Sequence, residues 1–423
     1  MDTKSPVHRR GHDIQDSVGF QDKKEQNGTR GPLKGLRVLE LGQIAAGPFA
    51  GSLLADLGAD VVKIERPDGG DGMRDWPPLT EAKNGTAYSE NFASLNRNKR
   101  SMVLDLKSPQ DNVILKDLVT VSDVFLENFR PGVLPRLGLA YDDLKLLNEA
   151  LIYCSISGYG QIGPYAEKGA FDVTVQAMAG IMSVTGQDDG PPVKCGVPIG
   201  DFCAGLYAAY CVVSLLNQVR DTGRGAFIDC SMIGSLIGIS ALQTSEFFGT
   251  GKPPVRLGSA HPRNAPYQAF QASDSDFVIA AGNNRLWGKV CDAVGLSNLT
   301  VDPRFETQAL RAANQNKLVQ ILAPEFEKKT AREWLIEMDR RGVPCAPINT
   351  YGDMLADQHV SEMGILHSLM LSNGVETKTT GFPIKMSCFD YAVVRPPPEL
   401  GEHNTEIIED WLNNDSVGEK ETP

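Results

Sequence analysis

The sequence predicts an α/β protein in two parts, a large doubly wound domain on a parallel sheet and a smaller α+β domain. Short branched apolar segments alternate with helical segments between residues 37 and 230, a pattern typical of a parallel sheet with helices on both faces. Near Pro254 the pattern changes to strand-like segments around a tight turn. The length of 423 residues also exceeds what one simple core usually holds.

The first ordered element is a compact βαβ unit. Arg37–Leu41 and Asp60–Glu65 are short, branched and apolar, as buried parallel strands are. Between them, Gly42 and Pro48 turn the chain into a helix that ends at Gly58. The N–H groups at such a helix start lie beside a strand end, where anions bind.

The alternation continues along the chain. We predict strands over 101–106, 123–128, 151–157 and 226–230, and helices over 110–121, 141–147, 206–219 and 231–248. The segment 68–98 contains Gly, Pro and Trp and is predicted to be a long functional loop.

Beyond residue 254, strands at 267–270 and 277–281 and helices over 284–294, 316–328 and 331–340 predict the smaller domain. Strand-like pieces at 361–387 and a terminal helix follow. The predicted organisation is a disordered extension (1–30), a large domain (31–230), a linker helix (231–253), a small domain (254–350) and a tail that returns to the large domain (351–423).

Composition excludes several classes of protein. The net charge of −12 argues against nonspecific binding of nucleic acid or acidic membranes. Eight cysteines without a CxxC pair and six histidines without metal-ligand spacing predict reduced thiols and no metal site. The polar first thirty residues lack the core of a signal peptide, and no apolar run approaches a membrane span. We therefore expect a soluble cytoplasmic protein.

One literal motif is rejected. Gly158, Gly160 and Gly163 form a GxGxxG pattern after a predicted strand. Pro164 follows at once, no long apolar helix comes next, and no acidic residue ends a following strand. We interpret this segment as a turn near a ligand and not as a dinucleotide site.

Asp201 is the carboxylate with the most distinctive context. It follows an apolar loop that ends in Gly200, and it precedes a helix rich in small residues. From the residues alone, this is the pattern of a helix N-cap. Asp172, upstream, is also open to an N-cap reading or a role in a site.

Three runs carry a resemblance to a known family: residues 33–71, NRNKRS at 96–101 and ENFRPG at 127–132. With them, the chain from Leu33 to the C-terminus resembles the class III coenzyme A transferases of the CaiB/BaiF type, and most of all those acting on succinyl-CoA and dicarboxylates of the glutarate type. The resemblance implies a Rossmann-like large domain, an interlocked dimer, and coenzyme A thioesters as substrates with no permanently bound cofactor.

The same resemblance assigns Asp201 as a nucleophile that passes through an aspartyl anhydride and an aspartyl-CoA thioester. It places Asp172 in the active site, beside the bound coenzyme A. For the remote carboxylate of an acceptor acid, Arg74, His261 and Arg263 are candidates from their positions in loops. The residues expected to line the coenzyme A site are Gln43, Ile44, Ala45, Ala46, Arg66, Leu104, Lys107, Asn128, Phe129, Arg136, Lys168 and Asp172.

Two other functions stay open. The racemases of this fold carry a histidine where this chain has Phe171, and phenylalanine cannot exchange a proton, which argues against an acyl-CoA isomerase. A non-catalytic coenzyme A-binding subunit of a hetero-oligomer is the other alternative, and the retained Asp201 argues against it. The expected partners are an acyl-CoA, a small carboxylic acid and a second copy or a homologous subunit.

Overall fold

A computed structural model of the protein describes residues 31–413. The extension predicted at 1–30 lies outside the described residues. The strands are β1 (Arg37–Leu41), β2 (Asp60–Glu65), β3 (Leu79–Glu81), β4 (Ala87–Ser89), β5 (Arg100–Val103), β6 (Val124–Glu127), β7 (Ile152–Ser157), β8 (Ala226–Ser231), β9 (Tyr267–Gln271), β10 (Asp276–Ala280), β11 (Cys345–Pro347), β12 (Leu366–Met370) and β13 (Glu376–Thr380).

The helices follow in chain order. They are α1 (Ala46–Asp56), α2 (Glu90–Asn96), α3 (Pro109–Thr120), α4 (Tyr141–Leu144), α5 (Asp172–Met178), α6 (Ile181–Val184), α7 (Ile199–Thr222), α8 (Met232–Ile239), α9 (Ala241–Thr250), α10 (Asn284–Val294), α11 (Gln308–Ala313), α12 (Gln315–Phe326), α13 (Ala331–Arg341), α14 (Tyr351–Ala356), α15 (Gln358–Glu362) and α16 (Asn404–Ile408). Short 3₁₀ turns lie at Gly72–Asp75, Pro135–Leu137 and Ser297–Val301, and a π-helical turn lies at Glu409–Asn413.

The central sheet has six parallel strands in the order β5-β2-β1-β6-β7-β8. The chain runs outward from β1 to β2 and β5 on one side, and from β6 to β7 and β8 on the other. The connections after β1 and β6 therefore leave in opposite directions and open a crevice between them, which is the usual ligand position in such sheets.

Alternate residues of each strand enter the cores on opposite faces. Val38 and Val124 pack with α1 and α7 on one face. Leu39 and Phe125 pack with α3 and the terminal Trp411 on the other. Because side chains alternate along a strand and both faces of the sheet are covered, most strand residues are apolar, with buried charges such as Glu40 and Lys63 as exceptions. This arrangement confirms the predicted doubly wound α/β fold.

A second core surrounds a three-stranded antiparallel sheet in the order β11-β10-β9. Phe277 from β10 contacts the ring of Phe326, which Trp334 also touches. The prediction of two antiparallel strands here is confirmed, while β11 was missed because its three residues carry no periodic signal.

Three sequence predictions are corrected. Segment 68–98 is not a plain loop, since it holds the hairpin β3–β4 and helix α2. The single helix predicted over 231–248 is two helices broken at Ser240, whose hydroxyl donates to the carbonyl of Leu236 at 2.7 Å. The helix predicted over 141–147 ends at Leu144.

Helix α7 is longer than predicted. It begins at Ile199, seven residues before the predicted start, and runs for 24 residues. By length and composition it could cross a membrane, which corrects the statement that no apolar run approaches that length. The core helix of a soluble protein passes the same test, and about a third of the apolar window of α7 is buried.

The C-terminal segment contacts the central sheet. Arg100, at the start of β5, bonds Asp60 and also Glu406 and Asp410 at 3.1 and 2.8 Å. The indole of Trp411 donates to Asp60 Oδ2 at 2.8 Å. The domain boundaries predicted above stay predictions.

Candidate active site

The loops after β1 and β6 meet at the switch point. The N–H of Gln43 donates to Asn128 Oδ1 at 2.8 Å, and Asn128 Nδ2 donates back to the carbonyl of Gln43 at 2.9 Å. This reciprocal pair brings together two of the residues predicted to line the coenzyme A site. It also fixes the loop that leads into α1.

The next residue, Ile44, has a left-handed backbone with φ of 66°. That conformation is a genuine outlier for a β-branched side chain. Its N–H donates to both carboxylate oxygens of Asp71 at 3.1 Å. Ala45 and Ala46, both buried, then open helix α1. The turn 43–46 is therefore a rigid backbone feature at the sheet edge.

Asp201 lies in the first turn of α7. It is not the N-cap, a position held by Pro198, so the N-cap reading is wrong. Burial, and then the charge of nearby Asp172, raises the pKa of Asp201 to about 7. At neutral pH this carboxyl is therefore only partly ionised.

Asp172 holds the segment that carries Asp201. Its Oδ1 accepts from the N–H of Gly200 at 2.8 Å, and its Oδ2 accepts from Gln176 Nε2 at 2.6 Å. A Cβ at residue 200 would come within 2.9 Å of Asp172 Oδ1, so a side chain there would displace this carboxylate. Phe171 occupies the N-cap of α5, which excludes the N-cap reading of Asp172 as well.

Gln176 extends this support. Its side chain is fully buried, and its Oε1 accepts from the N–H of Cys195 at 2.9 Å. Helix α5 therefore pins both ends of the segment 195–200 that leads into the nucleophile candidate. Sequence reasoning missed Gln176, although its spacing of four residues from Asp172 is a helical contact pair.

A backbone donor is free beside Asp201. The N–H of Gly200 is taken by Asp172, and the N–H of Phe202 bonds Pro198. The N–H of Asp201 itself finds no acceptor among residues 31–413. An unpaired N–H at a helix start is suited to stabilise a developing negative charge.

Helix α7 packs directly on the start of α1. A Cβ at Gly205 would come within 2.9 Å of the carbonyl of Ala46 and of the Phe49 ring. The rings of Phe49 and Phe202 lie 4.6 Å apart. Because Phe202, the residue after Asp201, contacts Phe49, the first turn of α7 lies against the first turn of α1.

The other predicted site residues divide by exposure. Phe129 is half-buried against the sheet core, with its N–H donated to Glu127 Oε2 at 2.7 Å. Leu104 is 3% exposed and belongs to that core, so its side chain has a structural role. The exposed cations are Arg66, Lys107, Arg136 and Lys168.

Several cations near strand ends are already paired. Arg97 bonds Asp56, and Arg100 bonds Asp60. Lys99 is fully buried beside Glu40. These three cations are not available for phosphates. Arg74 is also excluded as an acceptor-acid ligand, since its Nε and NH2 bond Glu65 at 2.8 and 2.6 Å.

Two of the residues predicted to bind the acceptor acid, Arg263 and His261, have groups that could still contact a ligand. Arg263 forms only an exposed pair with Glu246 at 3.0 Å, which contributes little stability. His261 accepts at Nδ1 from two backbone N–H groups, at Arg263 and Asn264. Its Nε2 therefore carries the proton in the neutral ring and can donate.

A cavity of about 260 Å³ opens beside β6 and β7. Burial raises the pKa of Glu127, in its wall, to about 7. Sequence reasoning did not single out this carboxylate, although an acidic residue that ends a buried strand is a usable signal. The residues that line the cavity include Glu127, Arg130, Tyr141, Tyr153, Gln161 and Phe227.

The GxGxxG segment forms a turn and not the start of a helix. Gly160 and Gly163 have positive φ, and the next helix begins only at Asp172.

Among residues 31–413, no group of three or more His, Cys, Asp or Glu side chains is placed to hold a metal ion.

The doubly wound sheet and the crevice at its switch point are typical of α/β proteins that bind ligands at the carboxyl edge of the sheet. The chain belongs to CoA-transferase family III, whose model matches residues 33–404. It is an enzyme of that class.

Named relatives cover most of the chain. It is 38% identical over 379 residues to the succinate–glutarate CoA-transferase of Agrobacterium fabrum, covering 89% of this chain and 95% of that protein. It is 37% identical over 390 residues to the human succinyl-CoA:glutarate CoA-transferase, covering 92% and 88%. A crystal structure of a CaiB/BaiF family protein from Brucella suis is 38% identical, with a TM-score of 0.80 over 89% of this chain and 98% of that one.

Proposed function

We propose that this enzyme transfers coenzyme A from succinyl-CoA to a second dicarboxylic acid, with Asp201 as the nucleophile. The observation that carries the proposal is the position of Asp201, partly buried in the first turn of α7, the helix whose Gly205 and Phe202 lie against Ala46 and Phe49 of α1. The substrate class rests on the names of the relatives, which act on succinyl-CoA and glutarate.

Each step breaks one bond and forms another. A carboxylate oxygen of Asp201 attacks the thioester carbonyl, the C–S bond breaks, and a mixed anhydride and the coenzyme A thiolate result. The thiolate attacks the aspartyl carbonyl, which releases succinate and leaves an aspartyl thioester. The carboxylate of the acceptor acid then attacks that thioester, and the returning thiolate takes the new acyl group and frees Asp201.

The first step needs the ionised carboxylate and a place for negative charge. The free N–H of Asp201 is available to an oxyanion formed at the neighbouring carbonyl carbon. The partial burial of Asp201 also limits the access of water, which would otherwise hydrolyse the anhydride.

Coenzyme A is a substrate in this scheme and not a resident cofactor. Its phosphates need guanidinium or ammonium groups. Among the predicted site residues, the exposed cations Arg66, Lys107, Arg136 and Lys168 supply them. Among residues 31–413, Arg66 donates only from Nε, to the carbonyl of Gly70 at 2.9 Å, so its two terminal nitrogens are available for a phosphate.

The test is chemical trapping. After incubation with succinyl-CoA, hydroxylamine should convert the activated Asp201 carboxyl to a hydroxamate, detected by peptide mass mapping. Asp201→Asn should give no hydroxamate and lower exchange into glutarate at least about 10³-fold, as loss of a covalent nucleophile does. A hydroxamate at another residue, or native exchange in the variant, contradicts the proposal.

We also propose that a second copy of the chain, or a homologous subunit, covers an exposed apolar surface on α7, α8 and α9, and that the protein works in the cytoplasm. Helix α8 packs against both α7 and α9. Their exposed side chains include Tyr210 (70%), Leu242 (63%) and Phe248 (82%). Large exposed apolar patches of this kind mark interaction surfaces.

A further inference from the structure

Five acidic or basic side chains are buried beneath the turn 43–46, and we call them the ion cluster. Their exposure ranges from 0 to 3%. Burying a charge costs several kcal/mol unless its partners are well placed. A cluster of this kind is therefore weak evidence for stability and invites a search for another role. The members are Glu40, Lys63, Glu65, Asp71 and Lys99.

Lys63 is the hub. Its ammonium nitrogen contacts Glu40 Oε1 at 3.1 Å, Asp71 Oδ2 at 2.9 Å and the carbonyl of Gly42 at 2.6 Å. These three acceptors match its three protons, so its geometry is fully determined. Burial alone lowers the pKa of Lys63, but the charges of Asp71 and Glu40 outweigh burial and raise it above its ordinary value.

Lys99 ties the cluster to helix α1. Its Nζ contacts Glu40 Oε2 at 2.7 Å and donates to the carbonyl of Pro48 at 2.8 Å. A Cβ at Gly51 would overlap Glu40 Oε2, so glycine inside α1 makes the room for this carboxylate. The cluster therefore lies directly under the first turns of α1.

Asp71 connects the cluster to the turn. Its two oxygens accept from the N–H of Ile44, and Oδ1 also accepts from Met73 at 2.9 Å. Lys63 holds the same carboxylate from below, and the net effect lowers the pKa of Asp71, although burial alone would raise it. The carboxylate is thus ionised and fixed in direction.

The left-handed conformation of Ile44 needs such support. A backbone in this region costs of order 1–3 kcal/mol for a residue other than glycine and persists only where its surroundings impose it. No side chain other than Asp71 bonds the Ile44 N–H among the described residues. Strain held in this way is typical of functional sites.

We propose that Lys63 and Asp71 are positioning residues for the coenzyme A site. Lys63 orients Asp71, and Asp71 holds Ile44 in the left-handed conformation that shapes the turn 43–46 for the substrate. The inference rests on the proposed function, because it takes this turn as part of the coenzyme A site. It adds a role for two residues that touch no substrate.

The test is Asp71→Asn, which keeps the shape of the side chain and removes its charge. We expect KM for succinyl-CoA and the calorimetric Kd for free coenzyme A to rise about tenfold, the equivalent of about 1.4 kcal/mol. At saturating succinyl-CoA, kcat should stay within about threefold, because lost uniform binding raises KM alone. Equal KM and Kd in the folded variant and the wild type overturn the proposal.

Asp56→Asn is the matched control. Asp56 is also a buried carboxylate in an ion pair, with Arg97, and it is the last residue of α1, at the end of that helix opposite the turn. Its replacement should lower the unfolding free energy, as loss of one partner of a buried pair does. It should leave KM and Kd within about twofold of the wild type.

A second pair of variants covers the case in which Asp71→Asn does not fold. Ile44→Pro removes the N–H that Asp71 accepts and forbids positive φ, while leaving the ion pairs intact. Ile44→Asn keeps the N–H and tolerates the left-handed region. Coenzyme A affinity should fall in the proline variant and stay higher in the asparagine variant, and equal affinities overturn the proposal.

The outcomes also separate this inference from the proposed function. If the wild-type protein neither binds coenzyme A nor exchanges it between acids, the proposed function fails. If the wild type does both and the Asp71 and Ile44 variants match it, only the positioning role fails.

Discussion

Asp201 shows how its surroundings change one side chain. Partial burial makes the charged carboxylate less favourable, and the neighbouring Asp172 adds like-charge repulsion, so the pKa of Asp201 rises to about 7. A poorly hydrated carboxylate attacks a carbonyl carbon more readily than a hydrated one. The cost is that a substantial fraction is protonated and inactive at neutral pH.

This pKa predicts the pH dependence of exchange. In the free enzyme, kcat/KM for succinyl-CoA should fall below about pH 7, because the protonated Asp201 carboxyl cannot attack. Asp172→Asn removes the like charge and lowers the pKa of Asp201. The decrease of kcat/KM on the acidic side of the profile should then occur about half a unit to one unit lower in pH, which corresponds to about 1 kcal/mol. The measurement is kcat/KM across pH 5 to 9.

The control for this prediction is Asp117→Asn, an exposed carboxylate on α3. It removes the same charge from the face of the sheet opposite α7, where salt screens it. The decrease of kcat/KM on the acidic side should therefore stay at the same pH. A decrease that stays at the same pH or moves to higher pH in Asp172→Asn would mean that the charge of Asp172 does not reach Asp201.

Among the elements, the contact between α1 and α7 governs the site. Gly205, Ala46 and other small residues let the two helices approach until backbone atoms touch. The nucleophile candidate and the turn 43–46 belong to different helices, so their relative position depends on this contact. A side chain at residue 205 would have to displace the backbone of α1 at Ala46 as well as the ring of Phe49.

Gly205→Val should therefore push α7 away from α1. We expect the unfolding free energy to fall by about 1–3 kcal/mol, the usual cost of overpacking, and exchange activity to fall as well. Denaturant unfolding and steady-state kinetics measure the two effects.

Gly288→Ala supplies the control, because Gly288 lies inside helix α10 with no atom near its Cβ position. There the change should raise the unfolding free energy by about 0.5–1 kcal/mol and leave activity unchanged. If Gly205→Val keeps native stability and native exchange, the packing argument is wrong.

Some elements could be predicted from sequence and others could not. β1 and β2 were found because each carries branched apolar residues next to a glycine turn, as buried parallel strands do. β3, β4 and β11 have three residues each, too few to show a period. The start of α7 was missed because Ile199 and Gly200 follow a proline-rich loop and carry no capping side chain.

Across the whole molecule, distant parts of the chain meet at the first strands. Arg74 NH1 donates to the carbonyl of Pro398 at 3.0 Å, and Ser101 Oγ accepts from the N–H of Gly401 at 3.0 Å. Glu65 bonds both Arg74 and Ser101. The C-terminal segment is thus joined to the ion cluster, a contact that no local sequence pattern indicates.

Like the fold, the candidate site could be predicted from the sequence only in part. The family motifs identified Asp201, Gln43 and Asn128, and the fold brings the last two into contact. Charge alone was a poor guide, since Arg97, Lys99 and Arg100 bind carboxylates of their own chain. Which basic side chains are paired depends on tertiary contacts, and the sequence holds no local signal for them.

The exposed apolar surface on α7, α8 and α9 leads to a prediction about assembly. Leu206, Tyr210, Leu242 and Phe248 are between 52 and 82% exposed, an arrangement that favours association because burial releases apolar surface from water. Sedimentation equilibrium at micromolar concentration should give twice the mass of the chain.

Leu242→Lys with Phe248→Lys should shift the protein toward the monomer, because lysine ammonium groups resist burial. Leu146→Lys is the matched control, since Leu146 is 80% exposed and lies outside this surface, after α4. It should leave the mass unchanged. A wild-type protein that sediments as a monomer would require another occupant for the surface, and a double variant that stays dimeric would place the interface elsewhere.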